Sequence, residues 1–159
     1  MAKKQADSWR NFATNRAARF HYHILERLEA GISLTGPEVK SVRDGKVVLK
    51  DAFATVTDGE VFLHKVHIAS YVHAPTETQD PERRRKLLLH KREIAKLQKQ
   101  TRQAGFTLVP TRLYLERGRI KCEIGVAKGK KLFDKRAAKK EESARHEIRA
   151  ALARRRKLT

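Results

Sequence analysis

The side chains best suited to chemistry in this chain are seven histidines, one cysteine and two dense runs of lysine and arginine. His21 with His23, and His64 with His67, are spaced as metal ligands could be, and His21 and His23 would share one face of a strand. A stable site needs a third or fourth ligand, however, and no cysteine or carboxylate cluster stands at a matching spacing. No metal and no cofactor are expected. Cys122 falls with Ile120, Ile124 and Val126 on the alternating apolar face of a strand, where a thiol is buried and inert. Gly129-Lys130-Lys131 lacks the upstream glycine and the downstream Ser or Thr of a phosphate-binding loop. Acidic side chains are scattered, so no paired-carboxylate site is indicated. Neither an enzyme nor a small-molecule substrate is expected.

What remains is phosphate recognition. The 159 residues carry 37 Lys and Arg against 18 Asp and Glu, a net charge of +19. Residues 128–159 hold 13 basic side chains against 4 acidic, and residues 83–103 hold 9 against Glu93 alone, so the rest is nearly neutral. Solvated faces normally mix both signs, and two one-sided runs point to a polyanion, first of all nucleic acid. Arg83, Arg84, Arg85 and Lys86, then Lys91, Arg92, Lys96, Lys99 and Arg102, would neutralise phosphates and give affinity without sequence choice. Aromatic residues are only 6%, so base stacking should be sparse. No apolar stretch approaches the roughly 18–20 residues needed to span a bilayer, and the N-terminus carries no hydrophobic signal core. A cytoplasmic, monomeric protein without membrane contact is expected.

These side chains need elements to position them. Residues 1–14 are polar and aperiodic and read as a flexible arm, with Trp9 and Phe12 as possible anchors. Phe20, Tyr22 and Ile24 alternate with His21 and His23, which is strand periodicity. Gly36-Pro37-Glu38 opens a short helix that Asp44-Gly45 ends. Two apolar runs, 47–57 and 61–68, flank Asp58-Gly59, a strong hairpin signal. After a loop from Val72 to Asp80, Leu87, Ile94, Leu97 and Ala104 fall on one helical face, and Gly105 stops it. Strands follow over 108–116 and 120–126, with Pro110 implying an edge or a bulge. Five strands with a helix between the third and fourth predict a mainly β fold, an OB-type closed barrel with two or three added helices. The domain boundaries expected are 1–14, 15–127 and a basic tail over 128–159. The tail's apolar stripe is thin, so it should be mobile when free and helical when docked.

Three motifs in order carry a resemblance: Leu34-Thr35-Gly36-Pro37-Glu38-Val39-Lys40-Ser41 with Val42-Arg43-Asp44-Gly45-Lys46, then Asp80 to Ile94, then Val126 to Arg136. Together they resemble the small protein B family, the tmRNA-binding (SsrA-binding) proteins of bacterial trans-translation, from about Asn15 onward. The resemblance implies an OB-type barrel that binds the tRNA-like domain of tmRNA and delivers it to stalled ribosomes. Barrel and RNA domain together would mimic a tRNA. Carried onto this chain, the tmRNA contacts fall on Asn15, Glu29 and Leu88, with Arg16, Arg19, Lys86 and Lys91 around them. The tail functions fall on Gly129, Lys130 and Lys131 and on Asp134, Lys135 and Arg136, entering the decoding centre and message channel of the small ribosomal subunit. Phe133, a lone ring among these cations, would either pack back on the barrel edge near Leu132 or stack on a ribosomal base, and the second is the functional reading. The chain departs from the family at Ala17, Phe20 and Val48, where a basic residue, a His and a small polar residue are usual. The alternative is an OB protein that binds ribosomal RNA constitutively.

Overall fold

The computed structural model describes residues 9–157, excepting the side chains of Trp9, 132–134 and Lys157. The first half comprises β1 (Trp9–Thr14), α1 (Arg16–His21), β2 (Tyr22–Ile32), α2 (Gly36–Arg43), β3 (Val47–Val48), β4 (Phe53–Thr57), β5 (Glu60–His64) and β6 (His67–Ile68). The second half comprises β7 (Arg85–Leu88), α3 (Lys91–Thr101), β8 (Phe106–Glu116), β9 (Arg119–Gly129) and α4 (Leu132–Lys157). Strands pair in the order β1-β8-β4-β5-β7-β2-β9, and β9 also pairs with β8. Six antiparallel strands therefore close into a ring, with β1 added along the free edge of β8. β3 and β6 form a separate two-stranded ladder.

Local chemistry explains most of these elements. The β4–β5 hairpin turns at Asp58 and Gly59, both at positive φ, and the β8–β9 hairpin turns likewise at Arg117 and Gly118. Thr35 caps α2 with a capping box: its hydroxyl accepts from the Glu38 N–H while its own N–H donates to Glu38. β8 bulges between Pro110 and Arg112, the irregularity that a proline in a paired strand demands. β2 bulges at Leu25, which is left exposed. Gly125 pairs with Arg27 just beyond this bulge, and a Cβ there would stand 2.9 Å from the Ile24 side chain. Inside the ring, Val61, Leu63, Leu87, Leu108, Leu113, Cys122 and Ile124 are essentially inaccessible to solvent, and Leu97 of α3 joins them. Burial of these side chains is the main force holding the ring.

Several expectations need correction. Residues 1–8 lie outside the described residues, but Trp9–Thr14 is a strand rather than an arm, because the long β8 offers it an unpaired edge. The alternation at Phe20–Ile24 misled: Phe20 and His21 close α1, and the strand starts at Tyr22. His21 and His23 therefore share no strand face. Leu87 and Leu88 belong to β7 rather than to a helix, and α3 starts only at Lys91, after the His90 N–H has bonded Glu93. The fold is mainly β and closed, as expected, with more strands than the five anticipated. Pairing of β9 runs to Gly129, opposite Tyr22, so the boundary at 127 cuts a strand. Beyond it the tail is helical over Leu132–Lys157, as an Ala-, Lys-, Glu- and Arg-rich segment favours.

Candidate nucleic-acid interface

One continuous polar network covers the outer face of β8, β9 and β2. Glu29 projects from β2 and accepts from Lys121 Nζ at 2.5 Å and from the Tyr114 hydroxyl. The Lys121 and Tyr114 hydrogen bonds hold the Glu29 carboxyl below its ordinary range, against a small opposing effect of burial. Burial and the Glu29 carboxylate push the Tyr114 phenol well up, so it stays a donor. Arg112 lies over the Tyr114 ring, 4.7 Å from its centre, and bonds Glu123 at 2.9 Å. Glu123 also accepts from Thr111 at 2.8 Å, and the Thr111 carbonyl accepts from the Asn15 N–H at 2.7 Å. Asn15 and Glu29 thus sit at two ends of two hydrogen-bonded groups that the Arg112–Tyr114 cation–π contact joins.

Asn15 itself is buried. Its amide donates to the Pro110 and Leu49 carbonyls and its Oδ1 accepts from the Ala18 N–H, so it caps α1 and ties it to β8. Arg16 and Arg19 are exposed on the helix it fixes. On the neighbouring β7, Leu87 enters the core and Leu88 points out, 55% exposed, beside Gly31 of β2. Leu88 is therefore a surface residue, whereas a core position would be inaccessible. Lys86, two residues earlier on the same outer face, is exposed and bonds Glu60 at 2.7 Å. Lys91 is exposed on the first turn of α3.

The run 83–86 is not the uniform cationic strip that its composition suggests. Arg85 is completely buried: its Nε donates to Glu38, and its terminal nitrogens donate to the Val66 carbonyl at 2.7 Å and the Pro81 carbonyl at 3.0 Å. Arg83 bonds the other Glu38 oxygen at 2.6 Å, and Arg84 stacks over the Phe62 ring at 4.1 Å. Arg85 is therefore removed from the set of phosphate contacts. Two acids, Glu38 and Glu123, organise cations around them. Their spacing to those cations in the sequence carries no signal, because only the closed sheet brings them together.

At the root of the tail, Gly129 ends β9, Lys130 donates to the Arg19 carbonyl with Nζ and to the His21 carbonyl with N–H, both at 2.9 Å, and Lys131 is exposed. Lys130 thus satisfies the open carbonyl end of α1. Lys135 is half-buried and Arg136 exposed on α4, whereas the side chains of Phe133 and Asp134 lie outside the described residues. Among the described residues no three His, Cys, Asp or Glu converge as a metal site would require. His64 instead bonds Thr55 at 2.7 Å and stacks on Phe53. Burial pushes the Cys122 thiol up to about 12, leaving it protonated. No helix among the described residues is long and apolar enough to cross a membrane.

Cations, a ring and an exposed leucine fixed on the outer strands of a closed sheet define a nucleic-acid-binding β-protein. Comparisons with known proteins narrow this class. The family model of the SmpB protein matches residues 12–154. A Synechococcus SsrA-binding protein is 57% identical over 139 residues, covering 87% of this chain and 90% of its own. The SsrA-binding protein of Caldicellulosiruptor saccharolyticus is 54% identical, covering 92% and 93%. Among solved structures, a chain described as "tmRNA-SmpB: a journey to the center of the bacterial ribosome" is similar with a TM-score of 0.64 and 49% identity, covering 76% of this chain and 85% of that one. The chain belongs to the SmpB family.

Proposed function

We propose that this chain binds the tRNA-like domain of tmRNA and carries it to stalled ribosomes, working without catalysis in the bacterial cytoplasm. The observation that carries the reading is the Asn15-to-Glu29 network, a preorganised face on a chain whose relatives are SsrA-binding proteins. Glu29, held by the buried Tyr114 and by Lys121, offers a hydrogen-bonding edge, Leu88 offers apolar contact, and Arg16, Arg19, Lys86 and Lys91 neutralise backbone phosphate. Such a face reads shape more than sequence. Asn15 acts by positioning: it orients α1 and with it the two arginines. The tail, from Lys131 through Lys135 and Arg136 onward, follows the message channel of the small subunit, with Phe133 and Asp134 at the start of its helix. Twelve of the tail's cations lie beyond β9, which suits a phosphate-lined path and makes engagement salt-sensitive.

The test is a gel shift of the full chain with tmRNA against a ribosomal RNA fragment of equal length. The wild type should prefer tmRNA, and Glu29→Arg should lose that preference while keeping its circular dichroism spectrum. Equal affinity for both RNAs in the wild type would favour constitutive ribosomal-RNA binding instead.

A further inference from the structure

A cavity of about 510 Å³ lies where α1, the start of β4, β8 and the foot of α4 meet. Its apolar walls include Tyr22, Phe53 and Val109, and its polar lining includes Asp51, Lys130 and Lys135. We propose that this cavity is a pocket for a single unpaired RNA nucleotide, preferentially guanosine. This rests on the RNA-binding reading above and deepens it.

The volume falls in the range of small-molecule sites, which combine apolar walls with a few convergent polar groups. Phe53 is a prepared stacking surface. Its ring stands 5.0 Å from the His64 ring at an interplanar angle of 16°, and His64 is anchored in turn on Thr55 at 2.7 Å. Burial and the nearby Arg84 hold the His64 imidazole below its ordinary pKa, so this stack is neutral near pH 7. The lysines supply positive charge for the nucleotide's phosphate. Asp51 supplies two acceptors and no donor when ionised. Guanine is the base whose adjacent N1–H and exocyclic amine present two donors to one carboxylate. Asp51 also holds a positive φ of 63°, a conformation that Asp and Asn accept more readily than other side chains.

The experiment uses the full chain and fluorescein-labelled single-stranded RNAs of about six nucleotides, within the span of an OB-type site. One is all uridine, and the others carry one guanosine or one adenosine. Anisotropy at near-physiological salt should show the guanosine RNA binding at least about fivefold tighter than all uridine, the lower end of one base stack. Phe53→Ala should abolish the advantage of both purines. Asp51→Asn, which keeps the backbone conformation, should abolish only the preference of guanosine over adenosine. Circular dichroism checks that Phe53→Ala folds, and Asp51→Asn keeps the test valid if it does not. A wild type that binds all three RNAs equally overturns the pocket. If that same protein still prefers tmRNA in a gel shift, the functional reading survives alone. Should Asp51→Asn weaken tmRNA binding, the nucleotide comes from tmRNA; should it weaken only binding to small ribosomal subunits, the nucleotide is ribosomal.

Discussion

Replacing Arg85 with Met separates a structural cation from an RNA-contacting one. The guanidinium is fully buried and holds three partners: Glu38, the Val66 carbonyl at the entry to β6, and the Pro81 carbonyl before β7. Methionine fills much of the same volume but leaves the Val66 carbonyl without its Arg85 donor, the Pro81 carbonyl with the Ile68 N–H only, and Glu38 with Arg83 and the Thr35 N–H only. Removing one member of a buried pair costs about 3–5 kcal/mol. Arg83 remains to compensate Glu38, so the lower end, about 3 kcal/mol, is expected. With a slope of about 1.5–2 kcal/mol per molar urea, the unfolding midpoint should fall by about 1.5–2 M. The pH dependence gives an independent check. Burial pushes the Glu38 carboxyl up, but hydrogen bonds from the Thr35 N–H, Arg83 and Arg85 outweigh it and hold the pKa below 4.5. A depressed carboxyl contributes stability above its unfolded pKa and loses it as pH falls through the folded value. Glu38→Gln should therefore lose stability near neutrality and show a shallower decline below about pH 4.5. Where Arg85→Met remains folded, the salt slope of its tmRNA affinity should match the wild type, whereas losing a true phosphate contact lowers that slope by about one. A midpoint change worth under about 1 kcal/mol, or a reduced salt slope in a folded variant, would refute this assignment.

Gly31→Ala would place a Cβ 3.2 Å from Leu88 Cβ on the outer face, so the leucine must shift. Severalfold weaker tmRNA binding with an unchanged urea midpoint is expected, and equal affinity would remove Leu88 from the interface. A truncation after Lys131 should keep tmRNA affinity and thermal stability. One after Ala127 should lower both in a melting and gel-shift comparison, because it deletes the Gly129–Tyr22 and Lys128–His23 pairings and the Lys130 bonds to α1. Equal behaviour of the two truncations would show that the end of β9 holds nothing in place.

How much of this was legible depended on whether the controlling contact is local. The hairpins at Asp58-Gly59 and Arg117-Gly118, the capped start of α2 and the bulge at Pro110 all follow from a few adjacent residues. Strand β7 was misread because Leu87, Ile94 and Leu97 fit one helical face by coincidence. The ring needs Arg85–Leu88 as its link between β5 and β2, and tertiary pairing overrode the pattern. β1 was missed because its residues carry no clean alternation and its stability comes from the edge of β8. At the interface, the motifs carried Glu29 and Leu88 through resemblance. Tyr114, Lys121, Arg112 and Glu123 were not singled out, since each looks like an ordinary strand residue until β2, β9 and β8 lie side by side.

The same logic explains why net charge alone is a poor map of this interface. The long-range field of +19 raises encounter with any polyanion, but it selects none. Selection needs groups fixed in place, and here the fixing groups are acids. Glu29 pins Lys121 and Tyr114, Glu123 pins Arg112, and Glu38 withdraws Arg85 from the surface altogether. Each carboxylate lowers the local charge while raising the order of the cations beside it, exchanging unspecific affinity for geometry. The tail helix is built the opposite way. Its residues from Lys139 to Arg156 are exposed, and the ion pair Glu141–Arg145 runs along the helix itself rather than across to the ring. A surface pair of that kind adds only a few tenths of a kcal/mol. The ring is thus organised before RNA arrives, whereas the helix keeps cations such as Lys139, Lys140 and Arg149 exposed toward whatever phosphate surface it meets.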